Sequence, residues 1–258
     1  MNAAESYILC EGYHDRAFWA GLLKHFNCID PGFATGTHTH RDFIYDPWSA
    51  EVKGGQYAFH SRSGHFIRVV PAHGKDNLKP FARQRRALRG QKTLTRLLVN
   101  TDSDRDADET TNTMSPISFD SLLLLAQEFD PAAVAQGTHR INMDNGQTTV
   151  VLAEWSASDE VLDGIPNQNT LERLISAAII AVHPEYGPAV ENWLRSRPSP
   201  PPPNPKEHAF SYLAGWYADR GSYEALCTTL WGDPAIAQEL ETRVRSLPFW
   251  ETIAEMTA

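Results

Sequence analysis

Apolar and polar positions change period repeatedly along the first 182 residues, from strand to helix and back. Residues 5–10 end in the apolar run Tyr7-Ile8-Leu9-Cys10 and predict a strand. Over 14–26 the residues Phe18, Leu22, Leu23 and Phe26 share one face at helical spacing, which predicts an amphipathic helix. Residues 31–64 break the pattern, with many Gly, His, Asp and aromatic residues, and read as an insertion. Its end, QYAFHSRSGHFIRVVP, predicts a hairpin that turns at Ser61–Gly64 and whose second arm, Phe66–Pro71, is the second core strand. Asp76 or Asn77 is expected to cap a helix that Gly90 stops after Arg89. Thr95–Thr101, TRLLVNT, is apolar enough for a third core strand covered on both faces.

Beyond it, 102–116 predicts an acidic loop and 118–128 a helix. INMDNGQTTVVLAEW (141–155) predicts a second hairpin around Asp144-Asn145-Gly146, with Thr148–Ala153 as the fourth core strand. Helices follow at about 169–182 and 187–195. The stretch RPSPPPPNP (197–205) suits neither helix nor central strand and is expected to be extended. Residues 206–258 predict further helices. Alternating strands and helices imply an α/β fold with a central parallel sheet flanked by helices. The expected division is an α/β domain over 1–195 carrying the 31–64 insertion, a Pro-rich linker over 196–205, and a helical C-terminal extension over 206–258 packed on the core.

Composition narrows the class little. At 258 residues and 41% hydrophobic the chain can bury a full core. It has no apolar run long enough to span a bilayer, and MNAAESYILCEG lacks the basic start of a signal peptide, so no membrane partner is expected. Cys10, Cys28 and Cys227 are too few and too scattered for a disulfide framework or a zinc set, and a reducing cytoplasm is the expected setting. Ten histidines include His38 and His40 on one side of an extended Thr37–His40, but no third ligand lies near in sequence. Trp193, Trp216, Trp231 and Trp250 fall in helical contexts and are expected in the core rather than as base-stacking platforms.

Charge is more telling in its distribution. The net charge is −9, yet residues 75–96 carry eight Lys or Arg against Asp76 alone, a local +7 that leaves the remainder at −16. Lys75, Arg83, Arg85, Arg86 and Arg89 are therefore candidates to meet a nucleic-acid backbone, the alternative being a solvated helix face.

The carboxylates carry the chemistry. Glu11 follows the first strand and Asp15 opens the next helix, while Asp102, Asp104, Asp106 and Asp108 follow the third strand. Sites in open α/β sheets form beyond the carboxyl ends of strands, so Glu11, Asp15, Asp102 and Asp104 converge if the two strands are neighbours. Carboxylates gathered in one crevice repel one another, and a hard divalent ion, Mg²⁺ or Mn²⁺, relieves that repulsion. Asp-rich stretches also make turns. A calcium loop fails here, because Ala107 replaces its glycine and Thr113 its last acid. A haloacid-dehalogenase-type phosphatase would leave the first-strand acids unexplained.

Together, E-G-Y-H-D after the first strand, H-G-K-D-N-L after the second and D-S-D after the third resemble the Toprim domain of topoisomerases, bacterial primases and small nucleases, over residues 5–182. The resemblance implies a Rossmann-like sheet with Glu11, Asp102 and Asp104 binding Mg²⁺. The chain is similar in finer detail to the overcoming-lysogenization-defect (OLD) nucleases and their stand-alone relatives. These place a further acid in an L-E-x-L motif and use a downstream lysine, which implies Glu172 and Lys206 in those roles. On the residues alone, Glu172 could instead be a surface acid of a helix whose core face is Leu171, Leu174 and Ile175. The 31–64 insertion and the bulky Tyr13-His14 pair depart from the family pattern.

The expected function is Mg²⁺-dependent hydrolysis of DNA or RNA. Glu11 and Asp102 would hold one ion, Asp104, Asp15 and Glu172 a second, and Lys206 would neutralise the transferring phosphate. The alternatives are a non-catalytic nucleic-acid-binding or regulatory Toprim protein, and a small-molecule phosphohydrolase. Similar stand-alone proteins often serve phage defence, sometimes beside an ABC-type ATPase, which makes a nearby-encoded ATPase the expected protein partner.

Overall fold

A computed structural model of the protein describes residues 4–29, 41–42, 56–74, 77–78, 80, 93–102, 140–143, 148–155, 162, 165, 170–199, 213–214 and 223–258. Its strands are β1 (Ala4–Cys10), β2 (Arg41–Asp42), β3 (Gln56–His60), β4 (Phe66–Pro71), β5 (Thr93–Asp102), β6 (Arg140–Met143) and β7 (Thr148–Trp155). Its helices are α1 (Tyr13–His25), α2 (Leu171–Val182), α3 (Tyr186–Ser196), α4 (Tyr223–Gly232), α5 (Pro234–Arg245) and α6 (Trp250–Thr257).

The strands form one sheet in the order β2-β3-β4-β1-β5-β7-β6. β1 lies at its centre and runs parallel to both β4 and β5. Ile8, Leu9 and Cys10 are wholly buried, as their unbroken apolar run requires of a strand covered on both faces. The sheet is not parallel throughout. Hairpin β3–β4 makes one side antiparallel, with Tyr57 opposite Val69, and hairpin β6–β7 the other, with Met143 opposite Thr148. Both follow from short turns, because only a crossover can bring the next strand in parallel. At the first turn Gly64 takes φ 80°, and its N–H donates to the Ser61 carbonyl.

α1 packs on β3 and β4 through a face that includes Phe18, Trp19, Leu22 and Leu23, all fully buried. The indole N–H of Trp19 donates to Asn100 Oδ1 at 2.9 Å, and Asn100 Nδ2 donates to the Ala153 carbonyl at 3.2 Å. One buried amide thus ties α1, β5 and β7 together.

Contacts divide the chain into two compact units. The first is Met1–Thr101, Phe119–Ala153 and Pro248–Ala258; the second is Asp102–Ser118 and Glu154–Leu247. The last turns belong to the strand unit, where Glu255 of α6 pairs with Arg96 at 3.1 Å and Ser63 Oγ donates to Ala258 O at 2.8 Å. In the second unit, α2 packs on α5. A smaller cluster there joins Leu162 and Ile165 to Ala177, Val190 and Leu194.

Two expectations need correction. β5 runs through Asp102, which belongs to the strand rather than to the loop expected from 102. Trp193 is 46% exposed, because Val190 and Leu194 one turn apart supply the buried stripe of α3 and Trp193 falls beside it. Residues 31–55 of the expected 31–64 insertion, apart from 41–42, the helix expected over 118–128 and most of the Pro-rich stretch lie outside the described residues, as does Trp216.

Candidate metal centre at the strand ends

In the first unit the register sets the carboxyl edge of the sheet. Cys10, the last residue of β1, lies opposite Pro71 of β4 on one side and Asn100 of β5 on the other. Past these positions the chain after β4 still follows the chain after β1. Ala72 N–H donates to the Cys10 carbonyl and Gly74 N–H to the Glu11 carbonyl, each at 2.8 Å. This brings the His73-Gly74 turn beside Glu11-Gly12. Both turn residues have positive φ, 62° at His73 and 119° at Gly74. Asn77 braces the turn by donating its Nδ2 to the His73 carbonyl at 3.2 Å.

Glu11 is half-buried, and the Thr101 hydroxyl donates to its Oε2 at 3.4 Å. That distance exceeds the usual O–H···O range, so the contact marks position more than binding energy. Asp15 is buried and accepts the Gly12 N–H at 3.1 Å, holding the first turn of α1 closed. Arg16 is buried as well, its guanidinium lying over the rings of Tyr13 and Tyr57. Burial, reinforced by the Asp15 carboxylate, pushes the Cys10 thiol well above the usual range, against the opposing pull of Arg16. Cys10 is therefore an inert core residue and no nucleophile.

In the second unit Asp102 is 2% exposed and accepts the Leu171 N–H at 3.0 Å. Thr170 caps the same helix by accepting the Arg173 N–H at 3.2 Å. An acid at a helix N-terminus meets donor N–H groups and the positive end of the dipole. Glu172 follows in the first turn of α2 and is 3% exposed, so the surface acid that an amphipathic α2 would allow is not what the fold presents. Arg173 beside it is buried too, and every residue from Leu171 to Ile179 is covered.

Glu11, Asp15, Asp102 and Glu172 thus have definite places. The first two lie at the carboxyl end of β1. Asp102 ends the neighbouring β5, directly after the Thr101 that touches Glu11, and Glu172 stands one residue past the N–H that Asp102 accepts. Asp104, Lys206, Lys75, Arg83, Arg85, Arg86 and Arg89 lie outside the described residues. Among the described residues no group of three or more His, Cys, Asp or Glu side chains is close enough to form a metal cage. The donors present in each unit, carboxylate and hydroxyl oxygens, are of the hard type that suits Mg²⁺ or Mn²⁺. Sequence reasoning passed over Thr101, His73, Arg16 and Arg173. Only Arg16 left a signal, a cation set directly against the apolar run Ala17-Phe18-Trp19.

No family model matches the chain, and no curated protein matches it. Among solved structures it is similar to a crystal structure of a hypothetical protein from Pyrococcus horikoshii OT3, with 14% identity, a TM-score of 0.60, and coverage of 99% of this chain and 100% of that one. At that identity the likeness is one of fold: the whole chain shares the mixed α/β architecture and its helical C-terminal stretch.

Proposed function

We propose that this protein is a Mg²⁺- or Mn²⁺-dependent nuclease of the Toprim type, hydrolysing phosphodiester bonds of DNA or RNA. The observation that supports the reading is the parallel register of β1 on β5, with Cys10 opposite Asn100, so that Glu11 follows directly on β1 and Asp102 is the last residue of β5. A bound divalent ion would make water a better nucleophile there and neutralise phosphate charge. The chain's own part is to supply hard oxygen donors and hold them still. The Thr101 hydroxyl stands beside Glu11, and the Leu171 N–H fixes the Asp102 carboxylate. Asp15, four residues past Glu11, and Glu172, one residue past the Leu171 N–H that Asp102 accepts, add buried carboxyl groups, and Asp104 and Lys206 complete the proposed set. Lys75, Arg83, Arg85, Arg86 and Arg89 would track the nucleic-acid backbone, so reversing two of the arginines would flatten the salt dependence of binding. A role in phage defence beside an ABC-type ATPase belongs to the same proposal.

One observation favours a second reading, a Toprim protein that binds nucleic acid without cutting it. Asp15 and Asp102 each already accept a backbone N–H at the start of a helix. The experiment that decides is an assay of purified protein with Mn²⁺ on plasmid, single-stranded DNA, tRNA and p-nitrophenyl phosphate. The nuclease reading expects polymer cleavage that disappears in Glu11→Gln and Asp102→Asn. Binding without cleavage selects the second reading. Hydrolysis of the small ester alone would make the protein a phosphohydrolase.

A further inference from the structure

Four side chains of the first unit form a continuous stack beside Glu11. At its base is Tyr57 of β3, 5% exposed. The Arg16 guanidinium lies 4.3 Å from the centre of that ring and 4.9 Å from the centre of Tyr13, so one buried cation bridges two tyrosines. Tyr13 then meets the His73 imidazole edge to face, with centroids 5.1 Å apart and planes at 66°. Burial falls along the stack. Tyr57 and Arg16 belong to the core, whereas Tyr13 is 40% exposed and presents the stack to solvent.

The stack is rigid for reasons that can be named. Tyr13 and Arg16 stand three residues apart on α1 and are therefore neighbours on its surface. A guanidinium over an aromatic face is attracted to it, more strongly where water is excluded. His73 is held with φ 62°, a conformation costly for a residue with a Cβ, by the bonds of its turn to Glu11 and Asn77. Backbone strain maintained by surrounding hydrogen bonds is a recurrent mark of ligand sites.

We propose that Tyr13 is a stacking platform for an unpaired nucleobase of the substrate strand, next to the phosphate site. This rests on the nuclease reading and narrows its substrate to single-stranded or locally opened nucleic acid, since a paired base has its faces covered by its neighbours. Tyr13 follows Glu11 by two residues, so a strand whose phosphate lies at Glu11 carries the adjacent base past the ring. A planar ring with polar edges suits this place better than an apolar partner surface. Among the described residues of this unit Tyr13 is the one large aromatic that is exposed, flanked by Glu11, His14 and His73, and Ile29 is the other large exposed apolar side chain. Every base has a stackable face, so the platform gives affinity with little sequence preference.

The test is fluorescence anisotropy with a labelled, cleavage-resistant phosphorothioate oligothymidylate at low salt with Mn²⁺, using wild type, Tyr13→Phe and Tyr13→Leu. An abasic oligonucleotide of equal length is the control. Loss of one base stack weakens binding by about five- to hundred-fold, so Tyr13→Leu should lose that much on oligothymidylate while Tyr13→Phe stays near wild type. On the abasic strand wild type and Tyr13→Leu should bind alike. Equal affinity of Tyr13→Leu and wild type for oligothymidylate overturns the proposal. So does an equal loss on both strands, or a wild type that binds neither. Metal-dependent cleavage, read separately, keeps the two claims apart. Tyr13-dependent binding without cleavage leaves the platform standing and removes the nuclease, and cleavage with an indifferent Tyr13 does the reverse.

Discussion

The Asp102 carboxylate accepts the backbone N–H of Leu171 at 3.0 Å, and both residues are buried. The last residue of β5 therefore anchors the first turn of α2, which makes Asp102 both a structural acceptor and a candidate metal ligand. Two substitutions separate the roles. Asparagine keeps an oxygen where Leu171 needs it and removes the charge. Asp102→Asn should unfold within about 1 kcal/mol of wild type, the scale of one charge–dipole interaction, while losing the heat of Mn²⁺ binding in calorimetry. Asp102→Ala removes the acceptor too and should cost about 1–3 kcal/mol for a buried N–H left unsatisfied. Full Mn²⁺ binding by Asp102→Asn would leave Asp102 as a helix anchor alone.

Glu172 tests the second half of the proposed site. Its helix is covered all round in its first nine residues, so Glu172 occupies an interior position. Glu172→Gln, nearly isosteric, should keep nucleic-acid binding and lower the cleavage rate by orders of magnitude, because an ion acting in the transition state contributes little to ground-state affinity. Single-turnover cleavage beside a binding isotherm is the measurement. Normal cutting by the Gln variant would confine the chemistry to Glu11 and Asp102.

How far the sequence foretells this arrangement depends on how many faces of each element are covered. β1 was legible because Ile8, Leu9 and Cys10 form an unbroken apolar run, which only a strand buried on both sides needs. Glu11 and Asp102 were legible as acids at strand ends, where α/β sheets place their sites. The burial of Glu172 was not. Leu171, Leu174 and Ile175 describe one apolar face equally well in a half-exposed helix, and nothing local reveals that Arg173 and Ser176 are covered too. The Tyr13–His73 contact was hidden for another reason: it joins turns sixty residues apart, and only the β1–β4 register brings them together. The return of α6 to the strand unit was illegible likewise, because the Arg96–Glu255 pair is a long-range consequence of the fold.

Asn100 is expected to matter more to stability than its polar type suggests. It accepts from the Trp19 indole and donates to the Ala153 carbonyl, and all three residues are buried. Asn100→Leu is close in volume, so it isolates the hydrogen bonds from packing. It strands one donor and one acceptor in the core, and the cost should be about 2–5 kcal/mol at the upper end of single substitutions. Urea denaturation gives this directly. Trp19→Phe removes the indole N–H instead, and the double variant should cost less than the sum of the two because the residues share a bond. Additive costs would mean that the bond carries no weight.

His65 predicts a pH dependence of stability whose sign can be worked out. Its Nε2 lies 2.7 Å from the Ser6 hydroxyl, and burial holds its pKa below the usual histidine value of 6.5, helped by the Arg96 guanidinium and opposed by Glu5. Glu5 is itself paired with Arg68 at 2.5 Å, which limits what it can offer a second cation. The folded state thus favours neutral His65, while the unfolded chain takes up the proton at the ordinary pKa. The stabilisation from His65 is fully present above about pH 6.5 and is lost as the pH falls through the lower folded value, because the unfolded state then binds more protons. Urea midpoints measured from pH 7.5 down to 5 should therefore decline for wild type below about 6.5. His65→Gln, which can still bond Ser6 but cannot titrate, should show a shallower decline over the same interval. If the two proteins lose stability in parallel, the acid sensitivity arises at other groups, and the Ser6–His65 contact is neutral to pH.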